Sequence, residues 1–155
     1  MRPKPSFLVL ALAVAGCGAL PAGEHAHHAA PAADARQAID FPEPLRTHTL
    51  ANMRDHLAAL QEIQQALGEG APDRAAQVAE NRLGMTSLRS HGAHDVAKFM
   101  PAGMQALGSQ MHRAASRFAL EAGNAGATGE MKPALAALAA VTAQCVACHA
   151  AYRMK

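Results

Sequence analysis

The sequence has few aromatic residues: among its 155 residues there is no Trp, one Tyr and four Phe. Aromatic side chains usually supply a large share of a buried core. Half of the residues are hydrophobic, but 39 of the 155 are Ala, which buries little area. The core must therefore come from a modest set of Leu, Met, Val and Ile side chains, and something else is expected to fill part of the interior.

The chain also lacks a large excess of positive or negative charge. The chain has 14 Lys and Arg residues against 12 Asp and Glu residues, and it contains no basic run. Nucleic-acid-binding domains carry a basic patch or stripe, so no nucleic-acid partner is expected. The length corresponds to roughly one ordinary domain, which argues against a two-domain enzyme with a separate cofactor module.

The three cysteines are too few for a disulfide scaffold, and the first of them follows an export signal. Arg2 and Lys4 precede the apolar run FLVLALAVA, which is shorter than the roughly 20 residues that span a bilayer. Val14-Ala15-Gly16-Cys17 resembles a bacterial lipobox, which implies cleavage after residue 16 and lipidation of Cys17. The alternative is an ordinary signal peptide cut near Ala22. Both place the protein outside the cytoplasm, on the periplasmic side, and Gly18 is compatible with sorting to the outer membrane.

Residues 17–41 are predicted to form a flexible tether, because they are rich in Ala, Pro and His and have no apolar periodicity. The polar side chains of interest there are Glu24, His25, His27 and His28. Such a cluster can bind copper or zinc, although in a tail it is more often polar filler.

Residues 42–155 read as an all-α domain. Apolar residues spaced three and four apart predict helices over about 42–67, 73–89, 101–122 and 130–152, with a glycine-rich loop at 123–129. Gly84 weakens the second helix, so a kink or an early end is open there. No segment has the two-residue alternation of a strand. Four helices with short links predict an antiparallel up-down bundle.

The chemistry is concentrated near the C-terminus, where Cys145-Val146-Ala147-Cys148-His149 has the C-x-x-C-H pattern of c-type haem attachment. Two thiols on one helical turn can add to the two vinyl groups of a haem, and His149 then lies beneath the iron. A thioredoxin-like motif would need a βαβ setting, and a zinc site would need four ligands. Covalent haem c is therefore the predicted cofactor. Its flat apolar ring would fill the space that aromatic side chains fill in other cores.

A C-x-x-C-H motif at the end of a four-helix chain resembles the class II c-type cytochromes, the cytochrome c prime superfamily, over residues 42–155. Class I cytochromes carry the motif near the N-terminus instead. The resemblance implies that Cys145 and Cys148 bind the haem and that His149 is the proximal iron ligand. It also implies that Arg153 lies near the haem edge; the alternative is a solvated cation at the helix end.

The distal iron position separates two functions. In this family the distal residue comes from the first helix: low-spin members place Met there and transfer electrons, whereas high-spin members leave the iron five-coordinate. Met53 lies on the inward stripe of the first helix. Aligning Arg46 with the Arg of high-spin members instead puts Leu50 over the iron, one helical turn or about 5 Å away. Met53 is the predicted ligand.

The leading interpretation is a lipid-anchored electron carrier with protein redox partners, and not an enzyme. The first alternative is a five-coordinate haem protein that binds nitric oxide or carbon monoxide. The second is a copper-handling haem lipoprotein, suggested by soft and imidazole side chains on and before the third helix: His91, His94, Met100, Met104, Met111 and His112. Helical spacing puts His112 off the core face, and His48 and His56 are expected to be exposed. Family members often pair as dimers, so a homodimer remains open.

Overall fold

The computed structural model describes residues 33–155 of the chain. The predicted signal peptide, the lipidation site Cys17 and the histidines of the tether lie outside these residues. The described part is mostly helical, which confirms the all-α prediction in its coarse form. Its elements in chain order are β1 (Gln37–Ile39), α1 (Glu43–Gly68), α2 (Pro72–Arg82), a 3-10 helix (Met85–Leu88), α3 (Ala93–Ala97), α4 (Ala102–Thr128), α5 (Met131–Ala151) and β2 (Tyr152–Met154).

The second helix ends earlier than the sequence pattern predicts. The amide N–H groups of Leu83 and Gly84 both donate to the carbonyl of Ala79 at 2.8 Å, which closes α2 after Arg82. A Cβ atom on Gly84 would lie 2.8 Å from the Cα of Glu80, so only glycine fits this approach of the chain to the preceding turn. The 3-10 helix then follows in place of the expected last two turns.

The glycine-rich segment 123–129 is helical, so the predicted loop is wrong over most of its length. Helix α4 continues to Thr128 and ends where Gly129 takes a φ of +80° and its N–H donates to the carbonyl of Ala125 at 2.8 Å. Ala122 and Ala125 are buried within the core. Tertiary packing of these small side chains therefore outweighs the low helix propensity of the segment.

Two short strands pair in parallel, with Gln37 opposite Tyr152 and Ile39 opposite Met154. The sequence predicted no strand and assigned residues 17–41 to a tether. Ile39 and Phe41, however, are each only 4% exposed. They pack with Val96 and Met104, and burial of these apolar side chains orders the chain before α1.

The main core lies where α4 packs against α5 and α2, and where α2 packs against α1. Its largest fully buried side chains include Phe118, Ile63, Leu83 and Val141, and many of the others are Ala. A second, smaller cluster contains Ile39, Phe41, Val96 and Met104. By length and composition α5 would also pass as a membrane-spanning helix, a test that core helices of soluble proteins pass as well.

Candidate functional site

A cavity of about 750 Å³ opens between α1, α4 and the C-terminal half of α5. This volume lies within the range of roughly 300–1,000 Å³ typical of ligand pockets. We call it the α1–α5 cavity. Its wall is largely apolar and includes Leu57, Leu60, Leu88, Val96, Met100, Leu107 and Met111.

The C-x-x-C-H motif occupies the last turns of α5, and Cys145, Cys148 and His149 all line the α1–α5 cavity. In the described part of the chain, both cysteines are free thiols. Cys145 packs against the main core and Cys148 against the smaller cluster. Burial raises the pKa of both thiols above the ordinary value, because an apolar setting disfavours a thiolate.

His149 lies at the rim of this arrangement, with its side chain exposed while lining the cavity. Its backbone carbonyl accepts a hydrogen bond from the Arg36 guanidinium at 3.3 Å. The segment before α1 thereby contacts the end of α5. The parallel pairing of β1 with β2 immediately after the motif holds the same end of the helix.

The two candidates for the distal position lie differently. Met53 on α1 is half-buried and lines the α1–α5 cavity. Leu50, one turn earlier, is also half-buried, but it is not among the described residues that line the cavity. The geometry thus brings Met53 to the same cavity as Cys145, Cys148 and His149 and leaves Leu50 outside.

Arg153 lies beyond the helix, in β2, and is not among the described residues that line the cavity. Its Nε atom is 3.4 Å from the Oδ2 atom of Asp34. The Asp34 carboxylate also accepts hydrogen bonds from Arg36, which lower its pKa to about 2, with a smaller contribution from Arg153. Arg153 is therefore a partly exposed cation paired with a carboxylate.

Three histidines meet at one side of the cavity, and the sequence missed this cluster. His56 on α1 and His112 on α4 are each 8% exposed, so the expectation that His56 is exposed and that His112 lies off the core face is wrong. His91 precedes α3, and its ring centroid lies 4.8 Å from that of His56 and 5.4 Å from that of His112, with the ring tilted to both. The spacing of His56, three residues after Met53 and four before Leu60, could have revealed its inward position.

The six His and Met residues on and before the third helix, which the sequence suggested as a copper site, do not lie together at one point. His94 is exposed and pairs with Asp95, Met104 belongs to the smaller cluster, and Met111 belongs to the main core. Within residues 33–155, no group of three or more His, Cys, Asp or Glu side chains is placed so that it could hold a metal ion. The six residues therefore do not form one site.

Burial sets the protonation of the histidine cluster. The pKa of His56 is lowered to about 4, mainly because burial removes water from the imidazole and, to a smaller extent, because His91 and His112 lie nearby. Desolvation also lowers the pKa of His91 and of His112. At neutral pH all three imidazoles are therefore uncharged, and each has one ring nitrogen with a free lone pair.

Compared with known proteins, the chain matches no family model, no curated protein and no solved structure.

Proposed function

We propose that the protein is a c-type cytochrome that carries one electron between redox partner proteins on the periplasmic side of a bacterial membrane. The observation that carries the proposal is that Cys145, Cys148 and His149 border one cavity together with Met53. A C-x-x-C-H motif on an exposed surface would have no such enclosure. The volume and the apolar wall of the cavity suit a flat apolar cofactor.

The donor set fits haem c. Cys145 and Cys148 would hold it through two thioether bonds, and His149 would serve as the proximal iron ligand. Bound haem supplies reversible one-electron chemistry. The chain contributes the apolar wall that limits water at the cofactor, and it fixes the motif at a helix end held by β1 and β2.

The position of Met53 favours electron transfer over gas binding. Met53, on α1, would supply a thioether as a second iron ligand beside His149, and Met/His ligation raises the reduction potential. The five-coordinate alternative needs Leu50 over the iron, and among the described residues Leu50 is not part of the cavity wall. No net substrate chemistry is assigned, so the protein is proposed as a carrier rather than an enzyme.

The finer fold proposal is an antiparallel up-down four-helix bundle made of α1, α2, α4 and α5. The packing of α1 on α2, of α2 on α4 and of α4 on α5 supports it, because neighbours in the chain are neighbours in space. Similarity to class II c-type cytochromes adds to this proposal through the position of the motif in the last helix.

The first experiment tests haem attachment. After expression in a host that matures c-type cytochromes, a denaturing gel stained for haem should show covalent haem in the wild type, with the stain lost or strongly reduced in Cys145→Ser and Cys148→Ser. The matched control is Cys17→Ser, which should keep the haem and move the protein from the membrane fraction to the soluble fraction. Wild-type protein without covalent haem would overturn the proposal.

The second experiment compares two neighbouring variants on α1. Wild type in the ferrous state should give the sharp α and β bands of low-spin haem, and Met53→Ala should replace them with a high-spin spectrum. Leu50→Ala, one turn away, should leave the bands in place. A high-spin wild-type spectrum that Met53→Ala leaves unchanged would support the five-coordinate alternative instead. Low-spin bands that survive in Met53→Ala would show that Met53 is not the iron ligand.

A further inference from the structure

The cluster of His56, His91 and His112 has no part in the electron carrier proposed above. Its members come from three separate parts of the chain: α1, the turn before α3, and α4. The ring centroids lie 4.8 Å apart for His56 and His91, 5.4 Å for His91 and His112, and 6.3 Å for His56 and His112. All three side chains also line the α1–α5 cavity, so a charge inside the cavity acts on all of them.

Two members have a defined place for an added proton. The Nδ1 atom of His112 lies 2.7 Å from the carbonyl oxygen of Leu83, and a carbonyl oxygen can only accept, so Nδ1 carries the hydrogen. The hydroxyl of Ser87 donates to the carbonyl of Gly84 at 2.7 Å, which leaves its oxygen to accept from Nδ1 of His91 at 3.4 Å. Neutral His112 and His91 therefore each keep a lone pair on Nε2, where a proton can add without breaking these bonds.

His56 is the member that lacks a hydrogen-bond partner. Its side chain is more than nine-tenths buried, and within residues 33–155 its Nε2 atom has no partner. Two imidazoles joined by an N–H···N hydrogen bond have ring centroids about 5 Å apart, given roughly 2.9 Å between the nitrogens. The 4.8 Å separation of His56 and His91 is close to this value, so a small ring rotation lets the two imidazoles share one added proton.

His91 connects the cluster to solvent, because it is only half-buried while the other two histidines are buried. The turn that carries it is held to α1 by Asn52. The Asn52 side chain donates to the carbonyl of His91 at 3.2 Å and lies 3.3 Å from Nε2 of His48. Protons can therefore exchange between solvent and the interior through His91 without unfolding of the helices.

Burial keeps the cluster neutral. Desolvation is the largest cause of the lowered pKa of each member, and the pKa of His56 falls to about 4. Among the described residues, Asp55 of α1 favours a proton on the cluster, while Arg82 of α2 and His48 of α1 oppose one. Asp55 and Arg82 pair with each other, so together they supply no net charge. Helix α5 adds further titratable side chains to the same cavity: Cys145, Cys148 and His149.

We propose that the cluster of His56, His91 and His112 takes up a proton from solvent when the α1–α5 cavity gains an electron, so that the protein carries both. This inference rests on the proposed function. The electron comes from the redox partner and takes the iron from ferric to ferrous, while the proton adds to an imidazole lone pair and forms one N–H bond. Oxidation by the next partner releases both. The charge of the interior is then the same in the two states, which avoids an uncompensated buried charge.

The Coulomb interaction across such a cavity is large enough to couple the two events. At an effective dielectric constant of about 20, a unit charge about 10 Å away changes a proton affinity roughly tenfold. An electron in the cavity therefore raises the proton affinity of the cluster, and by reciprocity a bound proton stabilises the reduced state equally. Because the cluster loses its proton as the pH rises, the midpoint potential must fall with rising pH.

The test is the midpoint potential of the haem-loaded full chain, measured between pH 4 and pH 7.5. A tenfold difference in proton affinity corresponds to a total fall of about 59 mV for a one-electron couple. Most of this fall should occur below about pH 6.5, the ordinary pKa of histidine. His56→Leu and His91→Gln should each lose most of it. His94→Gln changes an exposed side chain and is the control, which should keep the wild-type curve. The carboxylates of the haem titrate in every variant, so the comparison isolates the cluster.

A second measurement uses the wild type alone, which guards against variants that fail to fold. In nitrogen NMR titrations, at least one histidine of the cluster should have a higher pKa in the ferrous than in the ferric protein, and His94 should titrate alike in both. A pH dependence that His56→Leu and His91→Gln leave unchanged would overturn the inference, as would a cluster that titrates alike in both states. Both outcomes leave the proposed function intact, whereas a wild type without covalent haem would overturn the two together.

Discussion

At the residue scale, the two imidazole neighbours of His56 could not be predicted from the sequence. A sequence pattern places it on α1 but cannot tell whether an imidazole faces water or two other imidazoles. That depends on His91 and His112, which lie 35 and 56 positions further along the chain. The position of Met53 beside the cavity, by contrast, could be predicted from its place on the apolar stripe of the helix.

The depressed pKa of His56 predicts a pH-dependent stability. The unfolded chain takes up a proton on this residue near pH 6.5, whereas the folded chain does so only near pH 4. The unfolded state therefore binds more protons between these values, and the free energy of unfolding should fall as the pH drops from 6.5 to 4. The charged and titratable neighbours His91, His112, Asp55 and Arg82 act on the same group.

Chemical denaturation at pH 7.5 and pH 4.5 measures this effect. We expect a loss on the order of 2 kcal/mol from His56, since one pKa unit corresponds to about 1.4 kcal/mol. His56→Leu should show a shallower dependence, and His94→Leu, which changes an exposed side chain, should match the wild type. An equal slope in His56→Leu would contradict the assignment.

At the scale of elements, helix ends were the least predictable feature. The sequence located all four long helices because their apolar spacing is regular, but it broke α4 too early and ran α2 past Gly84, where it had left an early end open. The two errors are opposite: the glycines of 123–129 were read as a loop where α4 continues, and Gly84 was not read as the end of α2 where the chain does turn. Only the packed structure distinguishes Gly84, which is sterically required, from Gly123, which is not.

Two matched substitutions test this distinction. A Cβ on Gly84 would meet the backbone of Glu80, whereas a Cβ on Gly123 has nothing within 4 Å. Gly84→Ala should therefore destabilise the protein by about 1–3 kcal/mol. Gly123→Ala should stabilise it by about 1 kcal/mol, since it lies within α4. Thermal unfolding followed by circular dichroism measures both, and a stabilised Gly84→Ala variant would refute the steric argument.

Helices α1 and α2 are also joined by an ion-pair network around Arg82. Its guanidinium lies 2.9 Å from Glu62 Oε2 and donates to the Asp55 backbone carbonyl at 3.1 Å, in addition to pairing with the Asp55 carboxylate. These contacts raise the pKa of Arg82 and lower that of Asp55. Arg82 thereby fixes α2 beside the turn of α1 that carries His56.

At the scale of the whole molecule, the described fold extends further towards the N-terminus than the helical pattern of the sequence predicts. A domain of residues 42–155 follows from helical periodicity, but the described fold begins before α1, because β1 and the buried Ile39 and Phe41 belong to it. A three-residue strand is too short to leave a pattern in the sequence. Its pairing with residues at the other end of the chain is a tertiary property.

The boundary is testable by comparing the fragments 33–155 and 42–155. The shorter fragment loses two side chains whose burial contributes roughly 1.5–3 kcal/mol each, so its denaturation midpoint should fall clearly. Phe41→Ala in the full chain should reproduce much of that loss, which separates the effect of burial from that of shortening. Equal midpoints for the two fragments would show that residues 42–155 are a sufficient folding unit.

The pairing of β1 with β2 has a consequence for biosynthesis. Gln37 is opposite Tyr152, and the backbone N–H of Lys155 donates to the carbonyl of Ile39 at 3.1 Å. These contacts cannot form before residues 152–155 have been synthesised and have left the ribosome. The motif-bearing end of α5 is therefore anchored only after all the helices of the described fold have been made. A tag fused directly after Lys155 would begin beside these contacts.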